Sequence, residues 1–105
     1  MVKYVTSKEL ETLISESKLP VFCDFWATWC GPCRMLAPVF EDVSDAYEGK
    51  AVFVKIDVDE NEDAARKYGI SSIPNVMAFK DGKKSDSHLG FAPESVLQAF
   101  VEKNL

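Results

Sequence analysis

These 105 residues hold only one histidine and three cysteines, and each shortage excludes something. One histidine cannot build a histidine-rich metal centre. Cys23, Cys30 and Cys33 are too few and odd in number, against the paired framework that staples small secreted domains. Five glycines and five prolines fall far short of a collagenous or low-complexity chain. Positive charge is also short, with 12 Lys and Arg against 17 Asp and Glu and a net charge of −5. An acidic surface repels phosphate backbones and anionic lipid, so neither nucleic acid nor a membrane surface is an expected partner. No run approaches the roughly 18 apolar residues of a membrane span. The opening Met1-Val2-Lys3-Tyr4-Val5-Thr6 lacks the apolar segment of a secretory signal, and a cytoplasmic protein is expected.

What is present suits a globular chain: 47% of the residues are hydrophobic and 28% charged. No repeat, linker or break in composition divides it, which predicts one domain over residues 1–105. Thr6 and Glu9 form a capping box ahead of a helical stripe of Leu10, Leu13 and Ile14, which Leu19-Pro20 ends. Val21 to Ala27 is apolar except for Asp24 and predicts a strand buried on both faces. Beyond Cys33, Leu36, Val39, Phe40, Val43 and Tyr47 follow helical spacing up to Gly49, with Pro38 predicting a kink in the early turns. Ala51 to Val58 predicts a second buried strand. Asp59 and Glu62 are candidate caps for a short helix through Arg66, with Gly69 beyond its end. Val76 to Phe79 is another strand, and Asp81-Gly82 signals a two-residue hairpin into the polar edge strand Lys84 to Leu89. Pro93 opens a last helix bearing Val96, Leu97, Phe100 and Val101 on one face. With a short first strand near Tyr4, the order is β-α-β-α-β-α-β-β-α. This predicts an α/β fold with a mixed five-stranded sheet flanked by four helices.

The segment Trp29-Cys30-Gly31-Pro32-Cys33 carries the chemistry. Its two thiols can close a small ring where a buried strand gives way to a helix, the edge of an α/β sheet that ligands favour. Disulfide exchange needs an attacking thiolate, hence a lowered thiol pKa. Cys30 lies just before a helix N-terminus, whose unpaired N–H groups and dipole favour negative charge by up to about 2 kcal/mol. Cys30 is therefore expected to be exposed and nucleophilic, and Cys33, one turn inside, more buried and protonated. Once Cys30 is bonded to a substrate, attack by Cys33 is intramolecular and outpaces outside thiols. Gly31 permits a tight approach, while Pro32 presets φ at the helix start and needs no donor. Zinc is the alternative: Cys23, Cys30, Cys33 and His88 would just supply four ligands, although Pro32 is unhelpful in a zinc turn and there is no second cysteine pair.

The run Phe25-Trp26-Ala27-Thr28-Trp29-Cys30-Gly31-Pro32-Cys33, with Met35 and Ala37-Pro38, resembles the active-site signature of the thioredoxin family. Asp24, Lys55, Asp57, Tyr68-Gly69-Ile70, Ile73-Pro74 and Gly90 extend the resemblance along nearly the whole chain, in family order. It implies the thioredoxin fold and a protein-disulfide reductase that acts as an electron carrier. No bound cofactor is implied; NADPH acts indirectly, through a thioredoxin reductase that restores the dithiol. The implied partners are that reductase and disulfide-containing client proteins, and a monomer is expected.

Asp24 is the next most informative residue. A carboxylate in an apolar strand must be neutral, paired or locally solvated, and burial raises its pKa. That suits a proton acceptor for Cys33, with Lys55 as the natural partner and tuner, and the family resemblance implies the same role. The other reading of the pair is a structural ion pair. The resemblance also implies a cis peptide before Pro74. Such a proline blocks further sheet pairing and leaves the Ile73 backbone open for a client segment to dock as an added strand. Trp29, Ile73, Pro74 and Gly90 are the expected docking surface, with Trp29 more exposed than Trp26, which is expected in the core. Cys23 reads as a buried, inert strand residue, and His88 is given no catalytic role. The acidic run Asp57 to Asp63 fails as a calcium loop, with Glu62 where glycine belongs and Tyr68 at the closing glutamate. Asn75 and Phe91 depart from the family pattern near the docking surface. The uncharged Gly31-Pro32 favours a reductant over an oxidase or isomerase, and a redox-silent binding scaffold remains the alternative from another class.

Overall fold

The computed structural model describes all 105 residues, and its elements in chain order are β1 (Val2–Tyr4), α1 (Ser7–Glu16), β2 (Val21–Trp26), α2 (Gly31–Ala46), β3 (Val52–Asp57), α3 (Glu62–Lys67), β4 (Asn75–Lys80), β5 (Lys83–Leu89) and α4 (Glu94–Lys103). The strands form one sheet in the order β1-β3-β2-β4-β5. β2 runs parallel to β3 and antiparallel to β4, so the sheet is mixed and the most apolar strand lies at its centre. This is the predicted architecture and the thioredoxin fold, and β5 is the polar edge.

Strand alternation sorts the core into two layers. Phe22 packs with Leu36, Phe40, Phe53, Leu97 and Phe100 on the face covered by α2 and α4. Val21, Cys23 and Phe25 point the other way, toward Leu10, Ile14, Ile56 and Met77 under α1 and α3. Two consequences govern the site. Asp24 shares the α2 face with Phe22, whereas Cys23 lies on the opposite face.

Local signals explain most boundaries. Both halves of the capping box at α1 are made: Thr6 Oγ1 accepts from the Glu9 N–H at 3.2 Å, and Glu9 Oε1 from the Thr6 N–H at 2.9 Å. Asp81 and Gly82 both have positive φ (54° and 81°), the geometry of a tight hairpin turn between twisted strands. α2 continues through Pro38 as one helix.

Several expectations about the elements need correction. The strand beginning at Val21 stops at Trp26 rather than Ala27. The cap of α3 is Asn61, not Asp59 or Glu62, and Asn61 makes no side-chain capping bond. Its side chain is engaged elsewhere, with Oδ1 accepting from the Ser7 N–H and Nδ2 donating to the Asp57 carbonyl. Pro93 sits one position before α4, as its cap. Val96 is 44% exposed, so the buried stripe of α4 is Leu97, Phe100 and Val101.

Candidate active site

The short spacing of the cysteine pair does what ring closure requires: Cys30 and Cys33 are joined by a disulfide with Cα atoms 5.2 Å apart. Cys30 is the N-cap of α2, and its sulfur accepts the Cys33 N–H at 3.2 Å, in the place where a capping oxygen ordinarily sits. The first turn of α2 carries no acidic residue, so no side chain there opposes negative charge on that sulfur. Pro32, at the second helical position, has no N–H to leave unpaired.

The exposure expected of Cys30 is not observed: it is 4% exposed, and Cys33 1%. The Cys30 sulfur lies 3.9 Å from the Ile73 carbonyl oxygen, and Ile73 packs over the cysteine pair. Nor is Gly31 a steric necessity within the chain. A Cβ at Gly31 would meet only Arg34 Nη2, at 4.0 Å.

The loop opposite the cysteines joins Ile73 to Pro74 through a cis peptide, as the resemblance implies. The Pro74 carbonyl accepts the Gly90 N–H at 2.8 Å, which ties the β5–α4 connection to the same corner. Gly90 has φ of 85°, a conformation that a side chain would strain. Trp29 is 67% exposed, yet its indole is fixed: Nε1 donates to Asp59 Oδ2 at 2.8 Å. Trp29 and Ile73 border a groove of about 550 Å³ that Val58 and Ile70 make apolar and Arg66 and Glu62 rim with charge. Of the two departures from the family pattern, Phe91 is exposed at the surface, while Asn75 is buried in β4 with its Oδ1 lacking a partner. A larger groove, between α1 and the starts of β1 and β3, shares no residue with this corner.

Register places Asp24 beside Lys55 across the β2–β3 ladder, both on the α2 face. Asp24 is wholly buried, neither of its oxygens has a hydrogen-bond partner, and Lys55 Nζ approaches Oδ2 only to 4.0 Å. That distance is Coulombic contact rather than a hydrogen bond. Burial pushes the Asp24 carboxyl up to about 7, against the opposing pull of Lys55. Burial, aided by the Asp24 charge, also drives the Cys23 thiol well above its ordinary value.

Zinc does not fit. Cys23 faces away from Cys30 and Cys33, and His88 lies on β5 with its ring against Phe100. Trp26 is half-buried rather than fully in the core, with Tyr4 edge-on at 5.8 Å. Sequence reasoning missed Asp59 as the anchor of Trp29, because a carboxylate in an acidic run reads as surface or cap. It also missed the Arg34 guanidinium, which donates back to the Thr28 carbonyl at 3.0 Å and braces the turn before the cysteines.

Compared with known proteins, residues 1–103 match the family model described as Thioredoxin. The chain is 46% identical over 101 residues to Thioredoxin 1 of Nostoc sp., covering 96% of this chain and 94% of that relative. It is 50% identical over 92 residues to Thioredoxin of Synechocystis sp., covering 88% and 86% respectively. Thioredoxin of Rickettsia bellii is 43% identical over the full length of both chains.

Proposed function

The chain belongs to the thioredoxin family, and from that premise we propose how its residues divide the work of a thiol–disulfide oxidoreductase. The activity is two-electron dithiol–disulfide exchange at Cys30 and Cys33, with no bound cofactor. In our reading Cys30 is the nucleophile. Its thiolate attacks one sulfur of a client disulfide, a mixed disulfide forms, and the first client thiolate leaves. Cys33 then loses its proton to Asp24 and attacks the Cys30 sulfur. The second client thiolate departs, the client is reduced, and the Cys30–Cys33 disulfide remains. Lys55 tunes Asp24; Gly31 and Pro32 shape the turn.

The observation that carries this division of labour is the N-cap geometry of Cys30, whose sulfur accepts the N–H of the very residue meant to resolve it. Helix-end N–H groups stabilise a thiolate there and not at Cys33, which lies inside the helix. Client segments lie along Trp29, Ile73, Pro74 and Gly90, where the exposed indole and the open backbone beside the sulfurs favour an extended chain. A flavin-dependent thioredoxin reductase restores the dithiol at the expense of NADPH. The protein works as a cytoplasmic monomer built as one domain.

Two measurements test this. Cys33→Ser should trap mixed disulfides with client proteins through Cys30; trapping through Cys23 would overturn the assignment. Insulin disulfides should be reduced with dithiothreitol as donor, then with NADPH and a reductase. Activity with the first donor alone would leave the recycling partner wrongly assigned.

A further inference from the structure

Lys55 is an unusual lysine. It is 7% exposed, lies on the face of the sheet that α2 covers, and its ammonium meets Asp24 only at 4.0 Å, beyond hydrogen-bond distance. An ammonium taken out of water needs compensation beyond one carboxylate at 4.0 Å. Two aromatic rings supply it. Lys55 Nζ lies 4.9 Å from the Trp26 ring centroid and 5.5 Å from that of Tyr4, both within the range of cation–π attraction. The rings brace each other edge-to-face at 5.8 Å. Tyr4 is itself 64% exposed on the edge strand β1, so little besides these contacts explains an aromatic there. Tyr4 and Lys55 also line a cavity of about 260 Å³ with Val2, Ala37, Pro38 and Glu41. Lys55 thus borders that cavity on one side and Asp24 on the other.

We propose that Tyr4 is a positioning residue: with Trp26 it clamps the Lys55 ammonium over Asp24 and so governs proton exchange at that carboxylate from the cavity side. The significance of this for catalysis rests on Asp24 being the proton acceptor.

Few other charges face Asp24. On β2, Cys23 points to the opposite layer; from β4 the register partner is Val76; and the buried residues of α4 are apolar. β3 adds Asp57, two residues beyond Lys55 on the same face and paired in register with Trp26, and α2 adds Glu41 at the cavity rim, whose Oε2 accepts from Ser44 Oγ at 3.2 Å. Lys55 is therefore the only cation within ion-pair reach of Asp24, and its position is what the Tyr4 ring can change.

The test is a carboxyl-carbon NMR titration of Asp24 in the oxidised protein. Tyr4→Leu keeps an apolar cover but removes the ring face, so Lys55 turns outward and the Asp24 midpoint rises by about 0.3–0.7 pH unit. Tyr4→Phe keeps the ring and should titrate like the parent. A midpoint in Tyr4→Leu that stays put or falls overturns the clamp, and so does a shift in Tyr4→Phe equal to that in Tyr4→Leu. A measurement without any variant guards against misfolding: in the parent, ring currents should move the Lys55 ε-methylene protons upfield. A resonance like that of an exposed lysine contradicts the clamp. If the midpoint moves in Tyr4→Leu while the pH profile of client reduction does not, the clamp stands and the assignment of Asp24 as proton acceptor fails.

Discussion

Asp24 shows how much a single residue's setting changes its chemistry. Its carboxyl ordinarily titrates at 3.8, and burial in the sheet raises it to about 7. Between those values the folded protein keeps a proton that the unfolded chain has released. Stability therefore falls as pH rises through this window, by up to about 1.4 kcal/mol per pH unit. The contribution is complete below about pH 4 and gone above about pH 7. Asp24→Asn escapes the effect. In denaturant titrations it should exceed the parent by on the order of 2–4 kcal/mol at pH 8, less what Lys55 loses with its partner, and converge on it near pH 4. A difference that does not vary with pH would contradict the raised carboxyl. If Asp24 also accepts the Cys33 proton, the same variant should reduce clients more slowly near neutral pH despite being more stable. At Gly90 nothing crowds the missing side chain, but φ of 85° strains any other residue. Gly90→Ala should cost about 1–2 kcal/mol, read as a lower unfolding midpoint.

At the scale of elements, what the sequence made legible and what it hid separate by the range of the interaction. Thr6 and Glu9 needed only each other, and both bonds of the box are made. Asp81-Gly82 needed only its own backbone. The same local character makes Thr6→Ala a clean test: it should destabilise by about 1 kcal/mol, measured by thermal unfolding. The cap of α3 misled because its outcome is decided at a distance. Ser7, 54 residues away, takes the side chain of Asn61, and Trp29 takes that of Asp59. Val96 misled for a related reason. Periodicity locates an apolar stripe but not its width, and the α4 residues buried in the core layer shared with α2 are Leu97, Phe100 and Val101. The position of Cys30 at the start of α2 followed from strand–helix patterning. Its low exposure did not, because Ile73, which packs over the cysteine pair, comes from 43 residues further along.

For the whole molecule, alternation of strands and helices was enough to give the sheet and its five strands, since parallel crossovers and a closing hairpin leave few ways to arrange them. Lys55, as the basic residue of the neighbouring buried strand, is legible as the partner of Asp24, and the β2–β3 register sets the two side by side; that the edge strand would lay Tyr4 against Lys55 is not legible. The two-layer core also seats the site. Phe22, stacked on Phe53 at 5.2 Å, anchors the same layer that carries Asp24 and receives α2. Phe22→Ala should cost about 3–5 kcal/mol and, by loosening the seat of α2, lower the rate of client reduction before the protein unfolds. Parent-like activity at full folding would separate core from site and contradict that link.

The most direct test of the account is the order in which the three thiols of the reduced protein react with iodoacetamide across pH, localised by mass spectrometry. Cys30 should be alkylated first, with a midpoint below the ordinary thiol value of about 8.5. Cys33 should follow only at higher pH, and Cys23 should stay unlabelled while the protein is folded. Equal labelling of Cys30 and Cys33 at every pH, or labelling of Cys33 first, would contradict it.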